Sequence, residues 1–307
     1  MSKFQKSLMC CLLLAACMPV PGFASGDWVI DSELRVSEGG TWSSFLAGDR
    51  RVGEGGHVFV EGGRTWVDSE ELNLNTRSLT LGGGFRPAED YRLSGWYNHW
   101  GRSGDITSDS FTANLGWRGE RLRVSVLPGS RFITLHGGAP AGEGDNGLPI
   151  STPGNNSDDN GDDDEGEVSE DFDLMGVSGG LRLSWDLTSD WQLAASGTWI
   201  SYDEDPSLLA SREGADRFSE NAITLAQGFP EHRYSVELRR ELGDWREIGL
   251  RLGRDRSAVD GIGATSASLR FLTPIGNSWD IEVETAVTRT GDFGSSLSAG
   301  VIFTWFP

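Results

Sequence analysis

The feature of this sequence that most restricts its fold is an alternation of apolar and polar residues, which recurs in runs of about ten residues after residue 26. Apolar residues at every second position give a β-strand one hydrophobic face, whereas a helix repeats with a period of about 3.6. One such run places Tyr234, Val236 and Leu238 on the same face. Gly, Pro, Asn and Asp separate the runs. The pattern predicts an all-β chain.

The first 25 residues predict a secretory signal peptide. Lys3 and Lys6 precede an uncharged stretch at 7–20, and Gly22 and Ala24 provide small residues at a cleavage site. No later stretch reaches the roughly 20 apolar residues of a transmembrane helix, so a membrane-spanning part would have to consist of strands. We therefore expect one exported β domain at 26–307.

All three cysteines lie in this leader, so conventional cleavage would leave a domain without thiol chemistry or disulfides. The run Leu14–Cys17 also resembles a lipoprotein lipobox, which would place a lipid on Cys17. The Pro-rich and Gly-containing run at 19–22 favours conventional cleavage, and lipidation of Cys17 stands as the alternative.

A strongly acidic segment at 137–171 is expected to form a long loop. Twelve acidic residues lie at 143–173, and no Lys or Arg occurs between Arg131 and Arg182. With so few apolar residues the segment cannot bury enough surface to fold alone. Loose Ca²⁺ or Mg²⁺ binding by its carboxylates is a hypothesis, although Asp163 stands where an EF-hand requires Gly. Outside the two leader lysines the chain has 24 basic and 46 acidic residues, which excludes nucleic acid as a partner.

Tryptophan positions and loop lengths favour a membrane barrel over a soluble β-sandwich. Six tryptophans flank short connections or the chain end: Trp117, Trp185, Trp191, Trp245, Trp279 and Trp305. In an antiparallel barrel they would share one rim, where amphipathic rings suit a membrane interface. The long segments at 137–171 and 204–231 would lie at the other rim. We predict a transmembrane antiparallel up-and-down β-barrel of about 12 strands. Residues 27–48 would either add a strand pair, which gives 14 strands, or form an N-terminal extension.

The C-terminal run Val301-Ile302-Phe303-Thr304-Trp305-Phe306-Pro307 resembles the terminal strand of bacterial outer-membrane β-barrel proteins. It alternates apolar residues and carries an aromatic near its end, although Pro307 follows Phe306. The resemblance implies a porin-like barrel in the outer membrane, without a specific family. It also implies recognition of this strand by the barrel-assembly machinery and contact with outer-membrane lipids and lipopolysaccharide. No cofactor is expected.

The polar faces of the last strands carry charges of both signs and form the candidate site. These residues are Arg233, Glu237, Arg239, Glu247, Arg251, Arg270, Asp280, Glu282 and Glu284. Because rings of charged side chains set the selectivity of pores, we interpret the set as pore lining. In the alternative interpretation, arginines and carboxylates pair across neighbouring strands and fill a narrow barrel.

The leading functional hypothesis is a passive porin-like channel for small hydrophilic solutes. The alternative is a non-channel surface barrel that acts through its long loops in adhesion, recognition or envelope integrity. A lipid-modifying enzyme is a third class, whose catalytic base would be one of His57, His99, His136 and His232. The segment around His99 lacks the compact His-x-Ser arrangement of outer-membrane phospholipases, so enzymatic activity is not expected.

Overall fold

The computed structural model describes residues 28–38, 40–68, 73–102, 106–135, 172–206, 229–291 and 294–306. The expected signal peptide at 1–25, with Cys17, and the acidic loop at 137–171 lie outside these residues. Within the described ranges, no helix is long and apolar enough to cross a membrane.

Fourteen antiparallel strands form one closed barrel, in which each strand pairs with its neighbours in the sequence and β1 pairs with β14. The strands are β1 (Trp28–Ser37), β2 (Thr41–Val52), β3 (Gly56–Asp68), β4 (Asn73–Ala88), β5 (Tyr91–Arg102), β6 (Ile106–Arg118), β7 (Leu122–Leu135), β8 (Phe172–Asp186), β9 (Trp191–Tyr202), β10 (Pro230–Gly243), β11 (Arg246–Ser257), β12 (Gly263–Ile275), β13 (Trp279–Thr290) and β14 (Gly294–Trp305). The predicted all-β barrel is confirmed. The number of strands is 14, because the segment at 27–48 contributes to the strand pair β1–β2 and does not form an extension.

The alternation in the sequence separates the two faces of the barrel wall. In β12, Leu269 and Phe271 are exposed, whereas Arg270 between them is half-buried. Exposed apolar residues recur on the same face of the other strands, among them Leu79, Leu81, Phe111, Leu115, Val126, Val177, Leu181, Val236, Leu250, Leu252, Val283 and Val287. A continuous exposed apolar band requires an apolar surrounding, so this face contacts lipid and the opposite face lines the interior.

The connections differ in length between the two rims. The rim after β2, β4, β6, β8, β10 and β12 has connections of two to four residues only, and we call it the short-turn rim. The other rim, the long-loop rim, carries the connections at 136–171 and 203–229. Outer-membrane barrels place short turns in the periplasm and long loops outside the cell. The start of β1 and the end of β14 therefore lie on the periplasmic side.

All six tryptophans singled out in the sequence lie at the short-turn rim, and Trp28 lies there too. The guanidinium of Arg50 lies 5.4 Å from the ring centre of Trp28. That of Arg240 lies 5.2 Å from the ring centre of Trp191. Indole rings with adjacent cations suit the boundary between lipid and water. The short-turn rim therefore marks one membrane interface.

The turn between β10 and β11 places one of these tryptophans in an unusual backbone conformation. Asp244 and Trp245 have φ angles of 52° and 62°, as the two central residues of a type I′ hairpin turn require. Glycine adopts such angles more easily than Trp does. Because the Trp245 side chain is 82% exposed, its position is explained by the membrane interface and not by packing inside the protein.

The apolar band predicts that a charge on the outer face is costly only at mid-depth. Leu269→Arg should lower the free energy of unfolding by about 2–4 kcal/mol, because this position faces the middle of the bilayer. Ile275→Arg lies on the same face of β12 at the short-turn rim and should cost about 0–1 kcal/mol. Equilibrium unfolding in phospholipid vesicles measures both values. Equal costs at the two positions would contradict the placement of Leu269 at mid-depth and Ile275 at the interface.

Candidate functional site

The inward face of β10–β14 and β1 carries rows of charged side chains, which we call the charged wall. Its members are the nine residues predicted from the sequence together with Glu33, Arg35 and Asp255. Each of them alternates along its strand with residues of the lipid-facing side, so its side chain points into the barrel.

Arg270 lies at the centre of the charged wall and contacts carboxylates from three other strands. Its Nη2 is 3.2 Å from Oε1 of Glu237 on β10 and also contacts Glu247 on β11. Its Nη1 is 3.3 Å from Oε2 of Glu282 on β13. Arg239 donates from Nε and Nη2 to the two oxygens of Glu237, both at 2.8 Å. Such charge-assisted bonds are stronger than neutral ones and hold the five side chains in fixed directions.

Gly249 allows this network to cross β11. In the register of the sheet, Gly249 is opposite Arg239 on one side and Arg270 on the other. A Cβ at this position would lie 3.3 Å from Nε of Arg270 and 3.4 Å from Oε1 of Glu237. Because glycine has no side chain, Arg270 reaches Glu237 two strands away while both side chains stay close to the wall.

A second network lies across the seam between the first and last strands. Nη2 of Arg35 is 2.9 Å from Oε2 of Glu284 and 3.0 Å from Oε1 of Glu33. Gly300 lies between Arg35 and Glu284 in the register, and a Cβ there would be 3.5 Å from Nε of Arg35. The arrangement of a long side chain over a glycine therefore occurs in both networks.

The remaining three predicted residues lie on the same face but outside both networks. Nε of Arg233 is 3.2 Å from Oδ1 of Asp255. Nη2 of Arg251 is 3.4 Å from Oγ of Ser235. Asp280 is opposite Thr304 in the register, close to the short-turn rim. The nine residues are thus spread over the depth of the barrel and do not form a single ring.

Sequence reasoning missed two members of the charged wall that belong to β1. Glu33 and Arg35 alternate with Leu34 and Val36, which is the same signal that identified the later strands. Their role was not assigned because residues 27–48 were equally compatible with an extension outside the barrel.

Inward arginines keep a large part of their surface accessible to water. The side chains of Arg35 and Arg233 are 44% and 45% exposed, although both point into the barrel. By contrast, Arg270 is 21% exposed among its carboxylates. An inward side chain can be exposed only where the space beside it admits water. Among the described residues, no side chains fill the space next to Arg35 and Arg233.

Aromatic rings, and not ion pairs, lie over glycines on β3 and β4, next to the charged wall. A side chain at Gly63 would collide with the ring of Phe45, and one at Gly82 would collide with the ring of Phe59. Each ring is directly opposite its glycine in the register. The missing side chains at Gly63 and Gly82 therefore leave room for these rings to lie against the wall. Gly249 and Gly300 leave room for Arg270 and Arg35 in the same way.

Five buried apolar residues form a cluster inside the long-loop rim, which we call the mouth cluster. Ile106, Ile133 and Leu174 lie on the inward face at the ends of β6, β7 and β8, and each is 2% exposed. Phe229 and Val259 join them from the connections next to β10 and β11. These apolar side chains pack against one another at the long-loop ends of β6, β7 and β8.

The structure describes three of the four histidines considered as catalytic bases. Nδ1 of His99 is 2.9 Å from Oδ1 of Asp109 on the lipid-facing side, so a carboxylate and not a serine hydroxyl is bonded to this ring nitrogen. His57 contacts Arg92 at 2.9 Å inside the barrel. His232 lies on β10, and His136 is outside the described residues.

In the part of the chain that the structure describes, no group of three or more His, Cys, Asp or Glu residues is placed to hold a metal ion. The acidic loop at 137–171, for which divalent binding is a hypothesis, lies outside that part. Metal binding by the loop therefore stays a prediction.

Solved outer-membrane barrels share this fold, although no protein-family model and no curated protein sequence matches the chain. A bacterial polysaccharide outer membrane secretin is 8% identical with a TM-score of 0.53, covering 93% of this chain and 100% of that one. The CymD monoaromatic hydrocarbon channel is 9% identical with a TM-score of 0.51, covering 92% and 89%. The KdgM porin in complex with disordered oligogalacturonate is 8% identical with a TM-score of 0.42, covering 90% and 98%.

Identities this low show a shared fold and carry no information on the solute. The closed barrel, the lipid-facing apolar band and the tryptophans at one rim agree with that fold. The chain is therefore an outer-membrane β-barrel that shares its fold with the polysaccharide secretin and the CymD channel.

Proposed function

We propose that this protein is a passive channel for small hydrophilic solutes, which pass along the charged wall. The observation that carries the proposal is the accessibility of inward charged side chains, among them Arg35 and Arg233 at 44% and 45%. Exposed charges inside a barrel attract water and dissolved solutes, because a dry interior would leave them without solvation.

The two glycine-centred networks support a lumen that keeps its width. Arg270 and Arg35 each lie over a glycine and end on carboxylates. Side chains held along the wall in this way leave the centre free. If the same arginines projected freely, they would fill part of the space available to a solute.

The charged wall favours polar solutes over apolar ones, since both signs of charge are present at similar depth. A solute with several hydroxyl or charged groups can exchange hydrogen bonds with carboxylates and guanidinium groups as it moves. CymD is described as a channel for monoaromatic hydrocarbons, but its likeness to this chain extends to the fold alone. The proposed solute class therefore rests on the wall of this barrel.

Planar-bilayer recording of the purified full chain tests the proposal. Steady single-channel conductance in simple salt is expected. A folded barrel without any conductance would instead support a surface protein that acts through its long loops.

Charge selectivity should depend on the central arginine of the wall. Arg270→Gln removes the positive charge beside three carboxylates, so the reversal potential in a salt gradient should shift toward cation selectivity, by roughly twofold in permeability ratio. Glu282→Gln should shift it the opposite way. Arg50→Gln, which changes an arginine on the lipid-facing side, is the matched control and should leave selectivity unchanged. If Arg270→Gln and Arg50→Gln behave alike, solutes do not pass Arg270.

Channel width should depend on Gly249. A side chain in Gly249→Leu would meet Arg270 and Glu237 and push them toward the lumen, so single-channel conductance should fall. Overpacking of this kind should also lower the free energy of unfolding by about 1–3 kcal/mol. Gly62→Leu is the control, because a Cβ at Gly62 has no heavy atom within 4 Å. Unchanged conductance in correctly folded Gly249→Leu would show that this part of the wall does not limit flow.

A further inference from the structure

Five aromatic side chains point into the barrel from β2, β3 and β5, and we call them the aromatic ladder. Phe59, for example, lies between Val58 and Val60, which are 49% and 43% exposed on the lipid-facing side. Among the described residues of β10–β14 and β1, no aromatic side chain shares the inward face with the charged wall. The members of the ladder lie one, three, five, seven and nine residues from the end of their strand at the short-turn rim, in the order His57, Phe59, Trp96, Phe45 and Trp100.

The spacing of the aromatic ladder matches a chain of sugar rings. Each step corresponds to two residues, which advance about 6.6 Å along a strand and about 5 Å in depth at a tilt of about 40°. One six-membered sugar ring in an extended chain has a similar length. From His57 at the short-turn rim to Trp100, which packs against the mouth cluster, the ladder crosses about 20 Å of depth. It therefore follows most of the height of the barrel.

The rings of the ladder lie against the wall because glycines are beneath them. A Cβ at Gly84 would lie 2.7 Å from Cε1 of His57, and one at Gly82 would collide with the ring of Phe59. The planes of these two rings are 12° apart and their centres are separated by 6.3 Å, so the rings form a flat aromatic strip along β3. Both side chains are half-buried. One side of the strip is therefore covered by the wall, and the other side is available to a solute.

Each of three ladder rings has a charged side chain directly beside it on the same inward face. In the register of the sheet, the charged residue is the strand partner of the aromatic one. The pairs are Glu33 opposite Phe45, Asp49 opposite Phe59, and Arg51 opposite His57. Nη2 of Arg92 also lies 2.9 Å from Nε2 of His57. The ladder therefore combines apolar ring surfaces with hydrogen-bonding groups of both charge signs.

This combination suits a sugar better than an ion or a hydrocarbon. A pyranose ring presents C–H groups on its faces, which can lie on an aromatic ring, and hydroxyl groups around its edge, which can bond to carboxylates and guanidinium groups. A hydrocarbon would cover the rings but would remove water from the charges beside them without replacing the lost hydrogen bonds. A small ion would contact the charges and leave the rings unused.

We propose that the aromatic ladder binds linear chains of neutral hexose sugars and guides them through the lumen. The inference rests on the proposed channel and names the class of its solute. Neighbouring sugar units lie on successive rings of the ladder, while their hydroxyl groups exchange hydrogen bonds with Glu33, Asp49 and Arg51. Because these partners carry both signs of charge, an uncharged sugar chain meets no net repulsion along the ladder.

Sugar-induced block of single channels in a planar bilayer tests the ladder. The open-channel conductance of the full chain is first recorded in salt, and glucose or a linear hexamer of α-1,4-linked or β-1,4-linked glucose is then added. At least one hexamer should interrupt the current at a concentration about tenfold or more below that of glucose, because a chain contacts several rings at once. Block by glucose and both hexamers at equal concentrations would overturn the proposal.

Variants of Phe59 connect the block with the ladder. Phe59→Ala should raise the half-blocking concentration of the hexamer about tenfold, since one stacking ring is lost. Phe59→Tyr keeps a ring at this position and should retain the block. Phe111→Ala is the matched control, because Phe111 is 53% exposed on the lipid-facing side, and it should leave the half-blocking concentration unchanged. Equal effects of Phe59→Ala and Phe111→Ala would contradict binding on the ladder.

The experiment separates this inference from the proposed channel. A protein that conducts ions but is blocked by neither hexamer would overturn the sugar ladder and leave the channel intact. Block by benzoate and not by the hexamers would assign the rings to aromatic solutes instead. If the protein does not conduct, calorimetric titration of both hexamers into the detergent-solubilised full chain decides the ladder independently. Hexamer heat that is weakened by Phe59→Ala supports it, and no heat above that of buffer overturns it.

Discussion

Backbone hydrogen bonding between β1 and β14 is the interaction on which the rest of the structure depends. In lipid, an unpaired backbone N–H or C=O costs several kcal/mol, so a sheet can cross the membrane only when its two edges pair with each other. Here the seam extends from Ile30 opposite Trp305 to Ser37 opposite Ser298. Closure also fixes the strand number at 14, and with it a circumference large enough to leave space inside. The seam network of Arg35 and Glu284 exists only because these strands are neighbours.

Once the barrel is closed, the period of two along each strand separates an apolar exterior from a charged interior. The inner wall then needs a way to hold long charged side chains without blocking the lumen. Gly249 and Gly300 provide it, because each lies between two larger neighbours on adjacent strands and leaves room for a guanidinium group to lie along the wall. The mouth cluster adds a small buried apolar core at the long-loop rim.

Much of this could be predicted from the sequence, because the information is local. The alternation of apolar and polar residues assigns Arg270 to the interior and Leu269 to lipid. Trp279 next to a short connection indicates the short-turn rim. The partners of Arg270 could not be predicted, because they depend on the register of three strand pairs and on the absence of a side chain at Gly249. The contact between Arg35 and Glu284 joins residues 249 positions apart and depends on the strand count, which the sequence left open between 12 and 14. Phe229 and Val259 belong to connections, where no periodicity indicates burial.

The central claim is that the charged wall borders a water-filled lumen while the alternate face contacts lipid. Labelling of single cysteines by a charged, membrane-impermeant thiol reagent tests it most directly, in a background where Cys10, Cys11 and Cys17 are replaced by serine. Both test positions lie on β13: Ala286 points inward, and Val283 lies in the apolar band at 42% exposure. If the lumen is open, Ala286→Cys is labelled rapidly and Val283→Cys is not labelled in reconstituted vesicles. Absence of labelling at both positions would contradict an open lumen, and labelling at Val283→Cys would contradict the assignment of the two faces.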